Sequence, residues 1–182
     1  MFSIPTVPSW NALHPIAVHL PIGVLAAAPV LLLLSLCFGR RNKGIAGATL
    51  ILLLIGAAGC LLATATGEAA ADAAIVRGAE ADAILEQHEE LAEVARNIFL
   101  GLAGLYLLIL LIAAGLKDRL KPAGWVAVHV VYLVLFGAGL LVLVNAGHLG
   151  GRLVHQYGVR AEITGPAPAI EDAATPPKDD HD

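Results

Sequence analysis

Seven histidines stand in this 182-residue chain. Six of them, His14, His19, His88, His129, His148 and His155, lie in or beside strongly apolar stretches, while His181 sits in a polar tail. An imidazole inside a membrane segment is costly and therefore points to a function. Two neutral imidazoles facing each other from different helices suit axial ligation of a b-type haem, with the apolar porphyrin buried between them. Three or four imidazoles suit copper or zinc without a porphyrin. Met1 is the only methionine and no thiolate lies near the outer histidines, which disfavours Cu(I). The remaining possibility needs no ligand: the rings hydrogen-bond helix backbones and interfacial water.

The elements that must position these rings are membrane helices. The chain is 58% hydrophobic and 14% charged, with a mean hydropathy of +0.78, too apolar for a soluble domain. Four apolar runs, 14–38, 44–66, 97–116 and 123–147, are each long enough to cross a bilayer core of about 30 Å. They are continuous and rich in leucine and alanine, without the alternation of barrel strands. The expected fold is therefore all-α, a four-helix transmembrane bundle. The first run has no basic residue before it and no convincing cleavage site, and is expected to be a retained helix. Cys37 and Cys60 both lie in apolar segments and read as packing residues. With no CxxC, neither a zinc ribbon nor a covalently attached haem is encoded. The net charge of −4 leaves no basic patch for nucleic acid.

Arg40, Arg41 and Lys43 fill the first short connection, and Lys117, Arg119 and Lys121 fill the third. By the positive-inside rule both are cytoplasmic, so the N- and C-termini lie outside, with Trp10 and Trp125 as interfacial anchors. This orientation predicts a multi-pass membrane protein. The second connection, 67–96, is long, acidic and external. Ile84, His88, Leu91 and Ala95 recur in it at helical spacing, predicting an amphipathic extension on the outer side of the third helix. The segment 164–182, rich in Pro, Ala and Asp, reads as a disordered polar tail after a transmembrane domain of residues 1–163.

With this topology five histidines share the outer half of the bundle. His19 lies about 7 Å deeper than His14, and His155 about 10 Å beyond His148. His19 and His148 match in depth as an inner pair, and His14, His88 and His155 form a shallower set for a second haem. His129 alone falls in the inner half. Gly147, Gly150 and Gly151 strip side chains from the surface beside His148; Gly147 and Gly151 also fit a helix-packing pair. Gly56, Gly59, Gly101 and Gly104 are candidates for clearance opposite a porphyrin. Arg152 is placed to meet a haem propionate, or else is a solvated cation.

The segments HPIAVHLPIG (14–23) and GHLGGRLVH (147–155) resemble the two ends of a bacterial membrane family, domain of unknown function 2231. The Ala65-Thr66-Gly67 segment and His88 at the opening of the third helix match its middle, so the resemblance covers about residues 12–160. Tyr157 stands where many members have a later histidine, and Glu89 and Glu90 replace the apolar or aromatic residues usual after the third-helix histidine. Members similar to this form occur beside or fused to c-type cytochrome and Rieske modules, which implies a redox role.

Together these readings predict an electron-transfer subunit, not a catalyst, carrying one or two haems b through His14, His19, His88, His148 and His155. Its acidic face, Glu80 to Glu93, suits docking of a basic soluble cytochrome. The alternative is a membrane anchor or assembly subunit with a histidine metal site or no cofactor. No Asp or Glu lies inside the spans, which disfavours a transporter, and no HExxH motif exists to suggest a zinc hydrolase.

Overall fold

The computed structural model describes residues 7–38, 42–74, 76, 78–116 and 121–159. Arg40, Arg41, Lys117, Arg119, the tail 164–182 and His181 lie outside the described residues. The first span opens with a 3-10 turn, Asn11–Leu13, and continues as α1 (His14–Ala17) and α2 (His19–Phe38). Three long helices follow: α3 (Lys43–Ala73), α4 (Ala79–Leu116) and α5 (Pro122–His155). Four spans are thus long and apolar enough to cross a membrane, and this is a multi-pass membrane protein.

Local chemistry sets the helix ends. The Asn42 side chain caps α3 by accepting from the Ile45 N–H at 3.2 Å. Pro122 opens α5, where its missing N–H has no partner to lose. The α5 terminus closes around Gly158, at φ +67°, with Val159 N–H donating to the Leu153 carbonyl at 3.0 Å. Pro21 cannot donate to the Ala17 carbonyl four residues back, and the first span is interrupted at Val18.

The long acidic connection is more helical than its sequence suggests. Helix α3 runs past its apolar segment through Gly67, Glu68 and the alanine-rich stretch to Ala73, and α4 already begins at Ala79. Alanine is the strongest helix former, so the helix has no reason to stop where its apolar run does. The amphipathic extension appears as read: Ala81, Ile84 and Ala95 are buried, and His88 and Leu91 half-buried, while Glu86, Glu90 and Glu93 are exposed.

The bundle packs as two antiparallel hairpins, α2 with α3 and α4 with α5, joined by α3 against α4 and α2 against α5. Leu25, Leu32, Leu53, Phe99, Tyr106, Tyr132 and Phe136 form its core. Val30, Ile51, Leu111, Val134 and Leu141 face outward, as lipid contact demands. Glycines set the closest approaches. The Pro21 ring fills the space beside Gly59, and Leu25 fills that beside Gly56. These two glycines therefore give room to neighbouring side chains, not to a porphyrin. Gly101 and Gly104 lie on exposed surface with open space beside them.

A methyl group at Gly59 would stand 3.0 Å from Pro21 Cδ and 3.1 Å from its backbone nitrogen, neither of which can swing away. Gly59→Ala is therefore expected to lower thermal stability in detergent by about 1 to 3 kcal/mol. Gly23→Ala, where nothing lies within 4 Å, is expected to leave the melting midpoint unchanged or raise it. Thermal unfolding of the two variants followed by circular dichroism checks this contrast.

Candidate functional site

His14 and His88 meet at the end of the bundle opposite the basic connections. His14 opens α1, and its Nδ1 lies 3.0 Å from the Ala63 carbonyl oxygen on α3. A carbonyl only accepts, so Nδ1 carries the proton and Nε2 holds the lone pair of the neutral ring. That carbonyl already serves its own helix, and its second lone pair is reachable only where no side chain covers it. Gly67, four residues on, leaves it uncovered. A Cβ there would stand 3.0 Å from His14 Cε1. The Thr66 hydroxyl donates to the Leu62 carbonyl at 2.8 Å and lies 3.4 Å from His14 Nδ1, closing the other side.

His88 on α4 repeats this arrangement against α5. Its Nδ1 donates to the Ala146 carbonyl at 2.8 Å, and a Cβ at Gly150 would stand 3.0 Å from its Cε1. In both hairpins a histidine on the first helix donates to an alanine carbonyl on the second, with glycine four residues after that alanine. The stretches Ala63-Thr64-Ala65-Thr66-Gly67 and Ala146-Gly147-His148-Leu149-Gly150 are thus two copies of one device. The spacing of residues around His148 accounts for Gly150 but does not point to Ala63 or Ala146. Their signal was available as a small residue and a glycine four apart, facing a histidine on the preceding helix.

The two rings stand 6.3 Å apart between centroids, with planes crossed at 80°. Two imidazoles on opposite sides of one metal ion, each bound at about 2 Å, place their centroids about 6 Å apart. What the pair offers chemically is two neutral imidazoles side by side, each with Nδ1 occupied by a backbone carbonyl. Acidic residues surround the site beyond the apolar span. Burial, with Asp72, Glu68 and Glu93 nearby, holds the Glu89 carboxyl above the usual range against the opposing pull of His88.

The other sequence-predicted residues are not brought to this pair. His19 and His148, read as the inner ligands, are both exposed on the outer surface of the bundle. Helical phase explains this placement, because residues two apart on a helix point about 200° apart. His19 precedes by two the buried Pro21, and His148 follows by two the buried Ala146. His155 stands in the same relation to buried Leu153 and is likewise exposed. His19 Nδ1 donates to the Pro15 carbonyl of its own span at 2.6 Å. Arg152 donates from Nε to Gln156 Oε1 at 3.0 Å, one turn along its own helix. A Cβ at Gly147 or Gly151 would meet nothing within 4 Å, so neither makes the close approach that Gly150 makes.

Among the described residues, no group of three or more His, Cys, Asp or Glu side chains is placed to hold a metal ion. His129 lies apart in the other half, fully buried, its Nδ1 donating to the Trp125 carbonyl at 3.0 Å.

A family model described as "predicted membrane protein (DUF2231)" matches residues 11–162, and the chain belongs to that family. No curated protein and no solved structure matches the chain.

The geometry predicts the Nδ1–H tautomer for both His14 and His88. Histidine-labelled protein should show both protonated Nδ1 sites by nitrogen NMR. Gly67→Val should disturb the His14 signal and Gly150→Val that of His88, each leaving the other hairpin's ring unchanged.

Proposed function

We propose that this member of the family is a membrane electron-transfer subunit that binds one non-covalent b-type haem, with His14 and His88 as its two axial ligands. The observation that carries the reading is the pair itself: two imidazoles from different hairpins, 6.3 Å apart, each with Nδ1 engaged by a backbone carbonyl. A ligating histidine held in this way has a fixed tautomer and ring orientation, and the bond raises the basicity of Nε2. When bound, the haem supplies a one-electron couple. The chain's own contribution is to hold the two rings in place and to seat them above an apolar bundle.

One haem fits this geometry better than two, because His19, His148 and His155 point away from the pair. With the basic connections inside, the haem end faces the non-cytoplasmic side of a bacterial inner membrane. The exposed acidic flank of α4, including Glu80, Glu86, Glu90 and Glu93, then offers a docking face. A basic, soluble or fused c-type cytochrome is the partner it suits, and a Rieske protein is the second candidate. Such association should weaken as salt rises.

A second reading is supported by the same bonds. Each histidine ties the two helices of its hairpin together, which serves an anchor or assembly subunit with no cofactor.

Haem content per chain, measured as the pyridine haemochrome of protein expressed with ample haem, separates the two. His14→Ala and His88→Ala should each abolish binding, while His19→Ala, His148→Ala and His129→Ala should retain it. Loss of haem in His19→Ala or His148→Ala, with His14→Ala and His88→Ala intact, would overturn the ligand assignment. Absence of haem from the unaltered chain would favour the anchor.

A further inference from the structure

The opposite half of the bundle contains a second polar cluster, to which each of the four spans contributes one residue. Ser35 comes from α2, Thr49 from α3, Tyr106 from α4 and His129 from α5. All four are buried, with Thr49, Tyr106 and His129 at 0% exposure and Ser35 at 2%. The Tyr106 hydroxyl lies near the Ser35 and Thr49 hydroxyls but outside hydrogen-bonding geometry with either. The Tyr106 and His129 rings meet edge to face at 5.8 Å, and Trp125 packs over His129 at 4.0 Å. Thr49 donates to its own helix at the Ile45 carbonyl, and the Trp125 indole N–H donates to the Ser35 carbonyl at 3.2 Å.

Three atoms of this cluster have no hydrogen-bond partner among the described residues: Ser35 Oγ, Tyr106 Oη and His129 Nε2. The His129 tautomer follows from its Nδ1 bond to the Trp125 carbonyl, which leaves Nε2 as an acceptor. A buried polar atom without a partner loses its hydration and gains nothing in exchange. The penalty is greatest in a membrane interior, which holds no bulk water. Three such atoms from three helices in one cluster are unlike an isolated defect. Tyr132, on the same core, shows the satisfied alternative by donating to the Leu102 carbonyl at 2.9 Å.

We infer that this cluster is a binding site for an ordered water molecule bridging His129, Tyr106 and Ser35. The water donates one hydrogen to His129 Nε2 and one to Ser35 Oγ, and accepts from the Tyr106 hydroxyl. This gives it three partners, within the usual range for buried water. The site is independent of the haem reading, because it lies in the other half of the bundle and shares no residue with His14 or His88.

The test is transfer of magnetisation from water to side chains, by solid-state NMR of the full chain in lipid nanodiscs. Water should transfer to the His129 ring severalfold faster than to Tyr132, whose hydroxyl is occupied by a carbonyl. Ser35→Ala combined with Tyr106→Phe should remove that transfer. A His129 signal no stronger than that of Tyr132 in the unaltered protein would overturn the inference. So would a nitrogen signal showing His129 Nε2 bonded directly to the Tyr106 hydroxyl. The unaltered chain decides the question even where the double variant does not fold.

Discussion

The histidine end depends on a second hydrogen bond to a helix carbonyl. A carbonyl inside a helix already accepts from the N–H four residues on, yet retains another lone pair. Side chains normally screen it. Where glycine stands four residues later, as Gly67 does after Ala63 and Gly150 after Ala146, a ring from the next helix reaches it. The consequence is orientational: Nδ1 is engaged, the proton is assigned, and Nε2 is the atom left for other chemistry. Because both hairpins use the same device, the two rings are held independently and meet at the seam between them.

The same economy of side chains operates deeper in the bundle with a different result. Gly56 and Gly59 also permit close approach, but there the occupants are Leu25 and Pro21, and the outcome is packing without polarity. Toward the basic connections the spans converge on hydroxyls and an imidazole instead. The two halves are thus chemically unlike. One end has histidines tied across helices to backbone, and the other has a buried set whose remaining polar capacity finds no partner among the described residues.

Much of the architecture was legible in the residues. Four continuous apolar runs exceed bilayer length, and Ile84, His88, Leu91 and Ala95 mark one helical stripe, so the bundle and its amphipathic extension follow from periodicity. The helical extension of α3 to Ala73 was not, because hydropathy reports where a helix leaves lipid, not where it ends. The site was half legible. Depth is a sum of helical rise and groups the histidines, but depth alone does not say which way a ring faces. Phase does, and it separates His19, His148 and His155 from the interior because each lies two residues from a buried neighbour. The carbonyl acceptors were hidden for another reason: a backbone atom has no residue type, and its availability shows only as a missing side chain one turn away.

Electron paramagnetic resonance of the oxidised, haem-loaded protein tests the central assignment most directly, since it reports both axial ligands and their relative orientation. Ligation by His14 and His88 with planes crossed near the observed 80° predicts a low-spin ferric signal of the highly anisotropic kind given by perpendicular imidazoles. A high-spin signal, the signature of a single strong axial ligand, or a low-spin signal of the parallel-plane kind would contradict the assignment.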